Sequence, residues 1–196
     1  MIIAKIAGSN SHIDYFARVI DSLDVEIPPD PGDHGFGQFV SMELEGERAV
    51  GVIYNSRLIN PEYSNFGPRL NPKPAAEIFS PDYLNEQGVL IGIAMLGTFS
   101  AVGDPIHGIP RYSIPAGHDV HLLDSDAVNS FHTDQNGGVQ IRYFSQVLAH
   151  SGSLGVPLLE TIIDRLRSSF SASEQAKLEV LRDSLKWPST FASVKL

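Results

Sequence analysis

The stretch GVLIGIAMLGTFSAV, Gly88 to Val102, is apolar almost throughout and is broken at Gly92 and Gly97. A helix interior loses about 1 kcal/mol at each such glycine, whereas a strand accommodates glycine at a bulge or at the corner of a barrel. The run is therefore read as one long, bent, well-buried strand or two strands in succession. A strand of that length, apolar on both faces, needs cover on both sides, and the rest of the chain has to supply it.

Segments on the N-terminal side have the same character. IIAKIA (Ile2 to Ala7) and IDYFARVI (Ile13 to Ile20) are short, β-branched or aromatic, and separated by the turn-forming GSNS, which predicts two early strands arranged as a hairpin. The loop PPDPGDHGFG, Pro28 to Gly37, carries three prolines and three glycines among acids and fits no regular element. In GQFVSMELEGERAVGVIYNSRLI, Phe39, Ser41 and Glu43 alternate with Val40, Met42 and Leu44, EGE offers a turn, and Ala49 to Ile59 resumes a strand-like run. Pro61 to Pro74 holds four prolines and reads as a long loop. SPDYLNEQG then predicts a short helix capped by Ser80, with Pro81 at its first helical position and Gly88 as its stop. A last strand is expected at Val120 to Leu123.

From residue 124 the pattern changes to helical spacing. DSDAVNSFH offers Asp124 or Ser125 as a cap, and VQIRYFSQVLAH places Ile141, Phe144, Val147 and Leu148 on one face. PLLETIIDRLRSSF does the same with Leu158, Leu159, Ile162, Ile163 and Leu166. SASEQAKLEVLRDSLKW starts on Ser171 and Glu174, a capping-box pair, and carries Leu178, Leu181 and Leu185. The expected fold is mainly β plus α (α+β): an antiparallel β-barrel domain over residues 1–123, then three or four helices over residues 124–196. Ile141, Phe144, Leu158, Ile162, Leu178, Leu181 and Leu185 are the expected interface, packing on the barrel or on a second copy of the chain.

Charge and composition exclude several function classes. The 196 residues carry a net charge of −9; residues 1–137 hold 18 acids and 7 bases (−11), and residues 138–196 hold 5 acids and 7 bases (+2). An acidic body repels a phosphate backbone, so direct nucleic-acid binding is not expected of it. The tail arginines Arg142, Arg165, Arg167 and Arg182, beside Tyr143 and Trp187, are expected to pair with Glu160, Asp164 and Asp183 across helix surfaces. With no cysteine, disulfides, thiolate zinc sites and a cysteine nucleophile are excluded. No apolar run reaches membrane-spanning length and the opening MIIAKIAG does not read as a signal peptide, so no membrane contact and a cytoplasmic location are expected.

Motif chemistry narrows the field further. AHSGSLGVPLLE, Ala149 to Glu160, sits where a phosphate loop could stand, but Gly152 and Gly155 are three apart and Val156 and Pro157 replace the required lysine and hydroxyl. The stretch reads as a hinge, with Gly152 in a left-handed cap and Pro157 opening the next helix. The dinucleotide fingerprint and the nucleophile elbow are absent as well. No cofactor and no catalytic residue are expected. Among the seven histidines, His121 shares a strand face with Asp119, and His132 follows closely, so Asp119, His121 and His132 form a candidate metal site; His34 beside Asp30 and Asp33 is a second cation candidate.

The order of these elements resembles the HAS barrel, the small β-barrel at the N-termini of HerA-type DNA-translocating ATPases and of the ring subunits of rotary ATP synthases. The residues that carry the resemblance are ARVI, PGDHGFGQFV, VSMELEGERAVGVI, the glycine-punctuated strand and DVHLL, with Gly35 to Ile53 the best-matching piece. In HerA-like proteins an ATPase core follows the barrel, and here a helical tail stands in its place. The resemblance implies subunit contact around a ring or docking of a partner such as a HerA-like ATPase or its associated nuclease. The expected function is a non-catalytic interaction or assembly module, an adaptor or regulatory subunit acting with a protein partner or as a homo-oligomer. The alternative is a small metal-dependent hydrolase or ligand-binding barrel using Asp119, His121 and His132.

Overall fold

The computed structural model describes residues 1–59 and 88–192, with side chains described as far as Leu185. The expected loop at Pro61 to Pro74 and the helix capped by Ser80 lie outside the described residues, and so does the side chain of Trp187. Among the described residues, seven strands form one sheet: β1 (Ile2–Ser11), β2 (Asp14–Val19), β3 (Phe39–Leu44), β4 (Glu47–Ile59), β5 (Gly88–Phe99), β6 (Pro105–His107) and β7 (Asp119–Leu122). They run in the order β2-β1-β7-β3-β4-β5-β6, and β2 also pairs with β5. That second pairing closes a six-stranded antiparallel barrel and leaves β6 as a flap on the far half of β5. Closure removes the open sheet edge that a half-apolar sheet would otherwise present.

The helices described are α1 (Ser125–Phe131), α2 (Phe144–His150), α3 (Gly155–Arg167) and α4 (Ala172–Ala192), with a 3-10 turn at Gly152–Leu154. The fold is thus α+β with a closed barrel. Asp124 caps α1, its Oδ1 accepting from the Ala127 amide at 2.8 Å.

Two apolar cores meet at one wall. Ile3, Ala17, Val40, Met42, Ala49, Ile53, Ile91, Ile93, Met95 and Val120 fill the barrel. Their neighbours in sequence, Phe39, Val50, Val52, Ala94 and Leu96, point the other way and pack with residues of the helices. Alternation along a strand sends successive side chains to opposite faces, so β3, β4 and β5 look apolar throughout because both faces are covered.

Gly97 shows why the long run had to bend. Its φ is +154°, and a Cβ there would stand 2.1 Å from the Ile106 carbonyl oxygen. The missing side chain lets β6 lie against β5, a strand that composition alone did not indicate.

Several local expectations are corrected. GSNS is not the first turn: β1 continues through it with register shifts at Ile6/Gly8 and Ser9/Ser11, and the chain reverses at His12 and Ile13. Long-range pairing with β2 outweighs the turn preference of those small polar residues. Helix α2 begins at Phe144, so Ile141 reaches the core from a non-helical segment. Glu174 does not close a capping box, since its Oε2 accepts from the Val139 amide at 2.8 Å and its carboxylate pairs with Lys177. The seven expected interface residues lie in, or pack against, the core shared by barrel and helices. Their apolar faces pack within the chain, in the core that barrel and helices share, those of α4 by way of α3.

Candidate functional site

His132 caps the end of α1 and is fully buried. Its Nδ1 lies 2.7 Å from the Val128 carbonyl oxygen, which can only accept, so Nδ1 carries the proton. Its Nε2, 2.6 Å from the Tyr143 hydroxyl, then accepts from that phenol. Burial pulls the His132 pKa down from 6.5 to about 3, so the ring is neutral and this tautomer is fixed. The same burial raises the Tyr143 phenol well above its usual value.

His107, on β6, is held in a parallel way: Nε2 donates to the Phe131 carbonyl at 2.7 Å and Nδ1 accepts from the Arg142 amide at 3.2 Å. Burial lowers its pKa to about 4. Its ring stacks on Phe131 with centroids 4.3 Å apart. This cluster ties β6, α1 and the segment before α2 together, and every ring nitrogen in it is occupied by a structural bond.

That arrangement corrects the metal candidate. Asp119 is engaged by Lys5, whose hydrogen bond holds the carboxyl below its usual range. His121 stands on β7 opposite Ile2 and Ser41. His132 has no free nitrogen to offer, and among the described residues no three potential ligands converge, His34 with Asp30 and Asp33 included. A sequence separation of a dozen residues concealed a side chain turned into the core.

Three of the four tail arginines, Arg165, Arg167 and Arg182, are engaged by other residues of the chain. Arg182 makes two hydrogen bonds to Asp164, at 2.9 and 3.4 Å, as expected; Arg167 pairs with Glu179 at 2.7 Å instead of the acids anticipated. Arg165 reaches across to the barrel, donating to Gln38 Oε1 at 2.8 Å with its guanidinium 5.2 Å from the centre of the Phe39 ring. In the serine-glycine stretch, Gly152 has φ +55° and opens the 3-10 turn, and Pro157 falls in the first turn of α3. The hinge reading of that stretch fits this geometry.

A groove of about 250 Å³ lies on the outer barrel wall across β2, β5 and β4. The helices cover the upper part of these strands and leave the lower part open. In register, Phe16 and Asn55 flank Gly92, and Arg57 flanks Leu90. At the upper end Asp14 accepts from the Tyr54 hydroxyl at 2.8 Å and from Asn10 Nδ2 at 2.9 Å. Burial, with the Asp14 hydrogen bond and charge, pushes the Tyr54 phenol up to about 12, against the opposing effect of Arg57.

Asp14 and Tyr54 also line a recess of about 10 Å³, room for one water, which runs under α2 to Gln146, His150 and Ser151. Ser151 Oγ is buried there with no hydrogen-bond partner among the described residues. Sequence reasoning missed this site. Its only trace was the alternation of Asp14 and Phe16 with apolar residues in IDYFARVI.

No curated protein matches the chain. One family model does, over residues 1–195, and it is described as a domain of unknown function. With essentially the whole sequence matched, barrel and helices together, the chain belongs to the DUF8166 family.

Proposed function

We propose that the protein is a non-catalytic interaction or assembly module, an adaptor or regulatory subunit whose barrel is of the HAS type and whose partner is a HerA-like ATPase or the nuclease that works with one. The observation that carries this reading is an apolar strip around the β6 flap. Val102, Ile106, Ile109 and Tyr112 are 84, 52, 65 and 53% exposed within eleven residues. Ile106 lies on the strand at the end of the sheet order, where a partner strand can add its own backbone pairing. Exposed apolar side chains gathered beside a strand edge mark a docking surface more often than a solvated one.

The remaining support is architectural. With the helices packed on the barrel, this strip is set on a rigid body and needs little ordering when a partner binds. The test is recovery of partners from the native host by mild affinity purification, with Ile106→Ser/Ile109→Ser run in parallel. Enrichment of an ATPase or nuclease that the double variant loses supports the proposal. Reproducible recovery of nothing, or capture indifferent to the double variant, overturns it.

A further inference from the structure

The groove on β2, β5 and β4 has chemistry that the interaction reading does not use. Its lower end presents Arg57, which has no carboxylate partner among the described residues. Its middle is floored by Gly92, over which the Tyr54 ring lies, with Tyr54 Cε1 3.0 Å from the place a Cβ would occupy. Phe16 pairs with the same glycine from β2, but its ring is turned the other way, over Gly8 of β1, and it lines the groove only from that side. Its upper end is an acceptor, the Asp14 carboxylate, already oriented by Tyr54 and Asn10. The wall therefore offers, in order, a cation, an aromatic ring and a fixed anion.

The separation of the two charged ends follows from the register. Asp14 pairs with Ala94, and Arg57 with Leu90, four residues earlier on β5, which is about 13 Å along the strands; the two lie on strands either side of β5, about 10 Å across, so their backbones are about 16 Å apart. Side chains reaching inward from both ends shorten that span. A ligand matching it carries an anionic group at one end, a flat ring beyond it, and a hydrogen-bond donor on the far edge of the ring.

We propose that this groove binds a nucleoside monophosphate whose base bears an exocyclic amine, with the phosphate on Arg57, the base against Tyr54, and the amine donating to Asp14. An unpaired guanidinium is suited to a phosphate, which it grips with two parallel hydrogen bonds, and an aromatic face stacks on any base. The buried Ser151 Oγ, in the recess that shares Asp14 and Tyr54 with the groove, is an independent mark of the same place.

The site is separate from the apolar strip on β6, so failure of one reading leaves the other standing. Titration of the full chain with adenosine monophosphate, followed by calorimetry and by amide shifts of labelled protein, is the test. Saturable binding with shifts centred on Asn55, Arg57 and Gly92 is expected. Arg57→Gln, an exposed change on an intact barrel, weakens it about tenfold or more, and adenosine, lacking the phosphate, loses a similar factor. Inosine monophosphate, which lacks the amine, also binds more weakly. No saturable binding up to about 10 mM overturns the proposal. Equal affinity of Arg57→Gln for adenosine monophosphate, or equal binding of all three probes, overturns it too.

Discussion

Acid should unfold this protein through His132, and the effect can be worked from its surroundings. The ring is buried and neutral, with its pKa pulled from 6.5 to about 3, first by burial, against the raising effect of the Val128 carbonyl, with smaller lowering effects from His107 and Arg165. In the unfolded chain the same ring takes up a proton near its ordinary value. Between the two values the unfolded state binds more protons, so stability is highest above about pH 6.5 and falls as the pH drops toward about 3. Between about pH 8 and about pH 5 the loss from His132 alone comes to about 2 kcal/mol, against a total stability on the order of 5–15 kcal/mol. His107 acts in the same direction with a smaller share, because its ring is partly open to water.

Urea unfolding followed by circular dichroism at both pH values measures the loss directly. His132→Asn keeps an amide donor for the Val128 carbonyl but cannot titrate. The variant starts less stable, because the Tyr143 hydroxyl loses its acceptor, yet its stability should fall by about 2 kcal/mol less than the parent's over the same interval. The comparison of slopes separates titration from packing. An identical loss in parent and variant would refute the argument, since it would mean that His132 carries no hidden protonation cost.

Three further outcomes follow from the packing. Ile162→Ala removes a fully buried side chain from the core between helices and barrel, and should lower stability by about 2–5 kcal/mol in the same urea experiment. Gly97→Ala drives a methyl group into the Ile106 carbonyl, so β6 should lift from β5; faster amide exchange at Ser100 and Gly108, whose amides donate to Asp104 and Leu96, would report it. Ending the chain after residue 123 strips the cover from Phe39, Val50, Val52 and Leu96, and the product should aggregate or bind a hydrophobic dye instead of melting cooperatively.

Much of the architecture could be read from local patterns. The hairpin around Glu45 and Gly46, the bent strand at Gly92 and Gly97, and the apolar faces of α3 and α4 each follow from a period or a turn residue within one short window. What escaped were features decided by distant partners. GSNS prefers a turn by itself, and only its pairing with β2 makes it strand. Glu174 has the capping-box spacing, but the Val139 amide, 35 residues earlier, competes for its carboxylate. The groove depends on Tyr54 meeting Asp14 across 40 residues, a contact that strand order creates and no motif announces.

The shared wall also limits how this architecture can be taken apart. Strands β3, β4 and β5 work like a party wall between two rooms, so demolishing either room exposes the plaster of the other. A barrel moved alone into another protein would carry a greasy outer face with it, and the helices moved alone would have nothing to lean on. The piece that can travel intact between proteins is therefore barrel and helices together, the same extent that the family match covers.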